Sequence, residues 1–240
     1  MSKLPKELSK PFLKKEHEFG KSVLSFLAQD KIFNDFVENW LDKTSNEKKE
    51  FSKYIVNLFN ENYDEVERKY TLEFCNLPKG DNYRTLGQHN FELSKIRLDN
   101  DFRLYHNPFK LISTIIHEQL GHGRQLSEIS DNLNDRYLLA KNILNYKSFE
   151  KNGHKAYIEQ PIEVHSTTVE EGFISAVKCT SKYNSLYDKY ERIEQQRIAD
   201  IIDNKPITGN FESPFVNSPT PELLFQGISH CKTIYTGLNS

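Results

Sequence analysis

Residues 114–125, TIIHEQLGHGRQ, constrain this chain more than any other stretch. His117 and His122 close an apolar helical run that contains Leu111, Ile112, Ile115 and Ile116, and Glu118 sits beside the first histidine. Two imidazoles on one rigid element, with a carboxylate next to them, supply three of the four parts of a catalytic zinc site; the fourth is another protein ligand. The spacing is unusual. In H-E-x-x-H the histidines are four apart and share a helix face, whereas five residues of ideal α-helix would set them about 140° from each other. Both can reach one ion only if an extra residue is looped out, and a single π-helical turn is the usual device. Gly121 and Gly123 weaken a regular helix there, so the spacing predicts a bulge within residues 119–122. Upstream, Asn107 is a capping residue and Pro108 suits the first helical position, where its missing N–H costs nothing.

HEQLGH fits HExxGH and so resembles the zinc motif of the dipeptidyl peptidase III family of gluzincin metallopeptidases. The match covers residues 117–122 of a chain far shorter than members of that family. It implies shared site chemistry, not a shared whole fold or an exopeptidase specificity. TIIHE and GRQ also resemble the active helix of small zincin-type peptidases, whose motif reads HExxHxxQ, with one residue inserted here. By this resemblance His117 and His122 are zinc ligands and Glu118 is the general base.

The third ligand is sought in residues 157–165, YIEQPIEVH. Pro161 marks a helix start and puts Glu163 in the first turn, where the positive helix terminus keeps a carboxylate ionised, as a ligand must be. QPIEVHS is similar to the QPxExxA segment that follows HExxHxxQ in small zincin-type peptidases, where the glutamate is the third ligand; Ser166 stands here in place of alanine. His165, Glu159, Glu170 and Glu171 remain alternatives, because such sites accept a carboxylate or an imidazole. Glu170 shares a helix face with Glu163 and is placed to partner a ligand imidazole. Tyr157 is the expected stabiliser of the oxyanion of a tetrahedral intermediate, with His165 and Arg124 as alternatives.

At 240 residues the chain suffices for one large domain or two small ones. Only 37% of residues are hydrophobic while 12% are aromatic, so Phe and Tyr are expected to carry much of the core. A net charge of -2 offers no electrostatic footprint for nucleic acid or an anionic membrane, and the apolar runs are too short to span a bilayer. Three widely spaced cysteines, Cys75, Cys179 and Cys231, favour free thiols in a reducing compartment. The N-terminus has no apolar signal core. The expected location is therefore cytoplasmic, with export by a route lacking a cleaved signal left open.

Apolar residues recur at helical spacing through the first 70 residues, as in Phe19, Val23, Leu24 and Leu27 or Phe51, Ile55, Leu58 and Phe59. Asp30 and Thr44 are expected caps. His17, in the charged run KKEHE, reads as a solvated residue, and the whole region as structural. From residue 71 the pattern alternates, predicting two to four short antiparallel strands, one over residues 91–98 with a bulge at Ser94. In zincin-like enzymes an edge strand before the active helix takes an extended peptide, so the resemblance implies that residues 91–98 bind substrate backbone. His89 and His106 read as ordinary loop or strand histidines. Helices are expected over residues 132–146, from Pro161, and over residues 183–202. A loop is expected over residues 148–155, with His154 solvated in it. Residues 203–240 read as irregular chain with a short helix over residues 221–227, and His230 beside Cys231 lacks further metal ligands.

The expected protein is α+β and mostly helical. It has an N-terminal helical region, residues 1–70, and a zincin-like metallopeptidase domain, residues 71–240, with a small antiparallel sheet before the active helix; a single continuous domain, residues 1–240, is the alternative division. It is expected to bind Zn2+ through His117, His122 and Glu163 and to hydrolyse a peptide or protein substrate with water activated by Glu118. A catalytically inactive zincin-like scaffold or effector, acting by partner binding, is the alternative. The oligomeric state is not legible in the sequence.

Overall fold

Three helices open the chain: α1 (Lys10–Leu27), α2 (Lys31–Glu38) and α3 (Ser45–Asn62). The structure is a computed structural model that describes residues 7–63, 69–80, 83–90, 92–101, 105–125, 132–202 and 233–235. The expected caps are in place. Asp30 accepts from the Phe33 N–H at the start of α2, and Thr44 and Glu47 form a reciprocal capping box at the start of α3. Such caps satisfy backbone donors that the first helical turn leaves over, each contributing about 1 kcal/mol. A short 3-10 turn, Trp40–Asp42, buries Trp40, whose indole N–H donates to the Tyr105 carbonyl at 3.1 Å. That bond offsets the cost of taking the indole N–H out of water.

Among the described residues, six short strands form two three-stranded sheets. Strands β1 (Thr71–Cys75), β5 (Lys95–Asp99) and β4 (Gly87–Asn90) make one, in that spatial order; β2 (Lys79–Gly80), β3 (Tyr83–Thr85) and β6 (Thr233–Tyr235) make the other. The second sheet is antiparallel, but the expectation of antiparallel pairing is corrected for the first, which is mixed. β1 runs parallel to β5, with Thr71 opposite Lys95 and Cys75 opposite Asp99, while β4 runs antiparallel to β5. The chain between β1 and β5 is long enough for the crossover that parallel pairing requires.

The strand expected over residues 91–98 is also corrected. Asn90 Oδ1 accepts from the Leu93 N–H, and Ser94 adopts a φ of 48°. These two features reverse the chain where a bulge had been expected, so β4 and β5 form a hairpin. β5 is the central strand and β4 the edge. Asp99 ends β5 by accepting from the Leu77 and Asp101 N–H groups.

Five more α-helices follow among the described residues: α4 (Pro108–Ile116), α5 (Leu133–Leu144), α6 (Phe149–Ile158), α7 (Pro161–Cys179) and α8 (Ser181–Ile202). The loop expected over residues 148–155 is largely helical. The break foreseen at Asn152–Gly153 survives as a kink, with Gly153 at φ 77° inside α6. His154 is half-buried there and packs edge-on against Phe149. The turn before α7 is pinned by Gln160, which accepts from the Lys147 N–H and donates to the Lys147 carbonyl. Residues 221–227 and the pair His230–Cys231 lie outside the described residues.

One core runs through both halves of the sequence, from Val23, Trp40 and Phe59 to Ile96, Phe109, Ile115, Phe173 and Tyr190. Aromatic rings dominate its largest fully buried members, as the composition implied. Each such ring contributes about 1.5–3 kcal/mol on burial. Helix α7 is packed on several sides. Against α1 it makes a glycine-to-glycine crossing: a Cβ on Gly20 would lie 2.0 Å from the Val169 carbonyl oxygen, and one on Gly172 2.1 Å from that of His17. This crossing brings the middle of α1 up to the first turns of α7.

Candidate metal centre

Helix α4 begins as its residues dictate, with Asn107 Oδ1 accepting from the Phe109 N–H and Pro108 in the first turn. Leu111, Ile112, Ile115 and Ile116 are wholly buried and seat it in the core. At His117 the hydrogen bonding widens into a π-helical turn, His117–Gly121, in which the His122 N–H reaches back to the carbonyls of His117 and Glu118. The expected irregularity is present, beginning two residues earlier than the spacing placed it. It turns both imidazoles to one side, with ring centroids 5.0 Å apart. A 3-10 turn, His122–Arg124, follows.

Helix α7 supplies the carboxylate. Glu163 lies in its first turn, with Oε2 3.4 Å from His117 Nε2 and Oε1 3.5 Å from His122 Nε2. One ligand atom from each of the three residues lies within 4.8 Å of the others, and all three are buried. Gly121 permits the approach: a Cβ there would meet Ser166 Cβ at 2.7 Å. The remaining alternatives for the third ligand part company. Glu170 Oε2 pairs with His117 Nδ1 at 2.8 Å, while its Oε1 accepts from the Ser113 hydroxyl. Glu159 and Glu171 are exposed. His165 faces α1, stacked on Phe12 and bonded to Glu16.

Donor chemistry fits a divalent ion. With Nδ1 committed to Glu170, His117 turns its second nitrogen inward, and that buried Nε2 has no hydrogen-bond partner among the described residues. A bare buried nitrogen is costly unless something completes it. Burial pushes the Glu163 carboxyl up to about 8, against the hydrogen bonds from Tyr157 and Tyr146. Burial lowers the His122 imidazole to about 4, so it stays neutral, as a ligand must be. Glu118 is held well above the ordinary carboxyl range by burial and then by the charges of Glu163 and Glu170. A cation held by His117, His122 and Glu163 would supply the positive charge that this acidic group calls for.

A cleft of about 380 Å³ opens over Glu118, His122 and Glu163, between β4 and the α5–α6 region. Gly87, Gln88 and His89 line one wall, and Tyr146, Phe149 and Tyr157 the other. A Cβ on Gly87 would come within 2.6 Å of Glu118 Oε1, so the edge strand runs directly past that carboxylate. The expected site residues His117, Glu118, His122, Tyr157 and Glu163 are thus together. Tyr157 hydrogen-bonds Glu163. Arg124 and His165, the alternatives to Tyr157, are turned away from the cleft. Arg124 is buried against Glu16 at 2.8 Å and over the Phe19 ring at 3.7 Å.

Three residues escaped the sequence reading. His89 lies on β4, its ring stacked on that of His122 at 5.8 Å. Gln125 accepts at Oε1 from His122 Nδ1. Glu16 is fully buried although it sits in the charged run KKEHE. A signal for Glu16 existed: with Phe12, Gly20, Val23 and Leu27 it falls on the buried stripe of α1 at helical spacing. Burial works against its charge, but the hydrogen bond from His165 and the charge of Arg124 outweigh that and hold the carboxyl below its usual range. His89 carries no comparable sequence signal. Comparison of the chain with protein-family models, curated proteins and solved structures gives no match. Among the described residues no helix is long and apolar enough to cross a membrane.

Proposed function

We propose that this chain is a zinc-dependent metallopeptidase of zincin-like architecture. The observation that carries the reading is the convergence of ligand atoms of His117, His122 and Glu163 within 4.8 Å, beside a cleft lined by His122, Glu163 and Glu118. Helix–π-turn–3-10 geometry for two histidines, a glutamate from a later helix, and an edge strand along the cleft support it together. Zn2+ held by the three ligands would polarise the scissile carbonyl and make water in the cleft more acidic.

The protein's own groups do the rest. Glu118 is buried and of high proton affinity, and it takes the proton from the attacking water and returns it to the leaving amine. Tyr157 steadies Glu163 by its hydrogen bond and offers a hydroxyl to the developing oxyanion. An extended peptide adds to the outer edge of β4, in place of the strand expected over residues 91–98, and its backbone passes Gly87 to reach Glu118.

The test is Glu118→Gln. Untagged protein purified without chelator should retain one zinc per chain while peptide hydrolysis falls by at least about 10²–10⁴-fold. Metal analysis and a fluorogenic peptide library read the two quantities separately. Loss of zinc along with activity would make Glu118 a ligand and overturn its role. Stoichiometric zinc in the unaltered protein without turnover of any peptide would favour the partner-binding scaffold.

A further inference from the structure

Between the metal centre and helix α1 lies a second buried polar cluster that the proposed chemistry does not use. Glu16, Arg124, Gln125, His165 and Ser166 are all buried, and Glu16 and His165 completely so. Their hydrogen bonds form one ordered series whose polarity can be deduced. The carbonyl of Ile162 can only accept, and it receives the Gln125 side-chain N–H at 2.7 Å. The amide nitrogen of Gln125 therefore faces α7, where it also meets Ser166 Oγ at 3.0 Å and His165 Nδ1 at 3.2 Å. Its oxygen faces His122, 3.1 Å from Nδ1. His122 must then carry its proton on Nδ1, which leaves the lone pair on Nε2, the nitrogen that faces Glu163. By the same reasoning His165 accepts at Nδ1 and carries its proton on Nε2, which donates to Glu16 Oε2 at 3.0 Å. Arg124 donates to that same oxygen at 2.8 Å and locks it in place.

We propose that Glu16 is a positioning residue for the metal centre: through His165 it reinforces, beside the Ile162 carbonyl, the Gln125 amide orientation that keeps the His122 proton on Nδ1 and presents Nε2 to the ion. This rests on the reading of His117, His122 and Glu163 as metal ligands. The N-terminal helix then contributes to the metal centre, because α1 reinforces the ordering of one ligand. The Gly20–Gly172 crossing brings α1 close enough to α7 for Glu16 to reach His165.

The test uses the full chain, Zn2+ itself as probe, and two variants that uncouple the series at different points. His165→Phe keeps a ring stacked on Phe12 and leaves Glu16 paired with Arg124, but removes both ring nitrogens. Glu16→Leu/Arg124→Leu removes both charges together, which leaves neither buried alone. Competition with a chelating dye should show zinc affinity reduced about 10–100-fold in each. Combining all three substitutions should weaken binding no further than either variant alone, because both cut the same series. In the metal-free protein, long-range proton–nitrogen NMR should show the His122 proton on Nδ1, and a mixture of tautomers in both variants. Unchanged zinc affinity with an unchanged His122 tautomer in His165→Phe overturns the proposal, whatever the folding of the double variant. If the unaltered protein takes up no zinc, the metal-centre reading falls as well; if it takes up one and His165→Phe matches it, only the role of Glu16 falls.

Discussion

Two buried polar clusters flank the stretch from His117 to Gln125, and they settle their charges in opposite ways. Around Glu16 an arginine and a histidine N–H face one carboxylate, and the carboxyl sits below its usual range. Around Glu163 the surroundings are burial and further carboxylates, and both Glu163 and Glu118 are pushed up. In the first cluster protein groups neutralise the carboxylate through Oε2, while Oε1 has no hydrogen-bond partner among the described residues. In the second, burial raises both carboxyls, and a divalent ion held there would supply positive charge. Buried acid groups therefore differ according to what surrounds them: protein cations lower the first carboxyl, and burial raises the second pair.

The largest expected effect comes from unbalancing the first cluster. Arg124→Ala leaves Glu16 buried without its guanidinium and should destabilise the protein by about 3–5 kcal/mol in urea or thermal unfolding. A loss below about 1 kcal/mol would show that the pair contributes little. Completing the other cluster should do the reverse. Zinc at roughly a thousand times its dissociation constant should stabilise the folded chain by about 4 kcal/mol, and a chelator or His117→Ala should abolish the gain. An unfolding midpoint insensitive to zinc would erase the contrast between the two regions.

A third cluster, at the start of α4, sharpens the comparison because it behaves like the first. Burial works against the charge on Glu191, yet the hydrogen bond from His106, the charge of Lys110 and the Asn107 amide outweigh it and hold the carboxyl at about 2. A carboxyl depressed on folding stabilises the protein above its unfolded pKa, near 4.3, and that contribution disappears as pH falls through about 2. Glu191→Gln should therefore cost about 2 kcal/mol at pH 6 and only about 0.5 kcal/mol near pH 2, measured by denaturant titration across that range. The smallest effect is expected from Tyr146→Phe. Its hydroxyl lies 3.4 Å from Glu163 and the residue is 49% exposed, so removing it should change zinc affinity and stability by under about 0.5 kcal/mol. A larger change would mean that the aromatic wall of the cleft holds the ligand carboxylate in place.

Much of this was legible in the chain because the signals are local. Asp30, Thr44 and Asn107 cap helices through atoms three residues away or fewer, and short-range chemistry is written in short stretches of sequence. The five-residue spacing of His117 and His122 implied the π-turn on the same ground, since two rings on one helix can share a target only if the helix widens. Glu163 was reachable through Pro161 and the helix start it marks. The strand pairing was not, because β1 and β5 meet in parallel across an intervening excursion, and nothing in either strand states the direction of its partner. The turn at Ser94 was missed for a related reason, since alternation continues on both sides of it.

From the sequence alone came the helices, their caps, the widened turn and the residues that carry the candidate chemistry. Tertiary structure decided which of several acidic residues faces the histidines, and it moved Arg124 from the cleft into the core. It also gave a glutamate in a charged run a buried role. The physical reason is that a side chain's protonation and partners depend on what surrounds it in three dimensions. For Glu16 those surroundings are residues more than a hundred positions away, brought near by two glycines that let one helix lie against another.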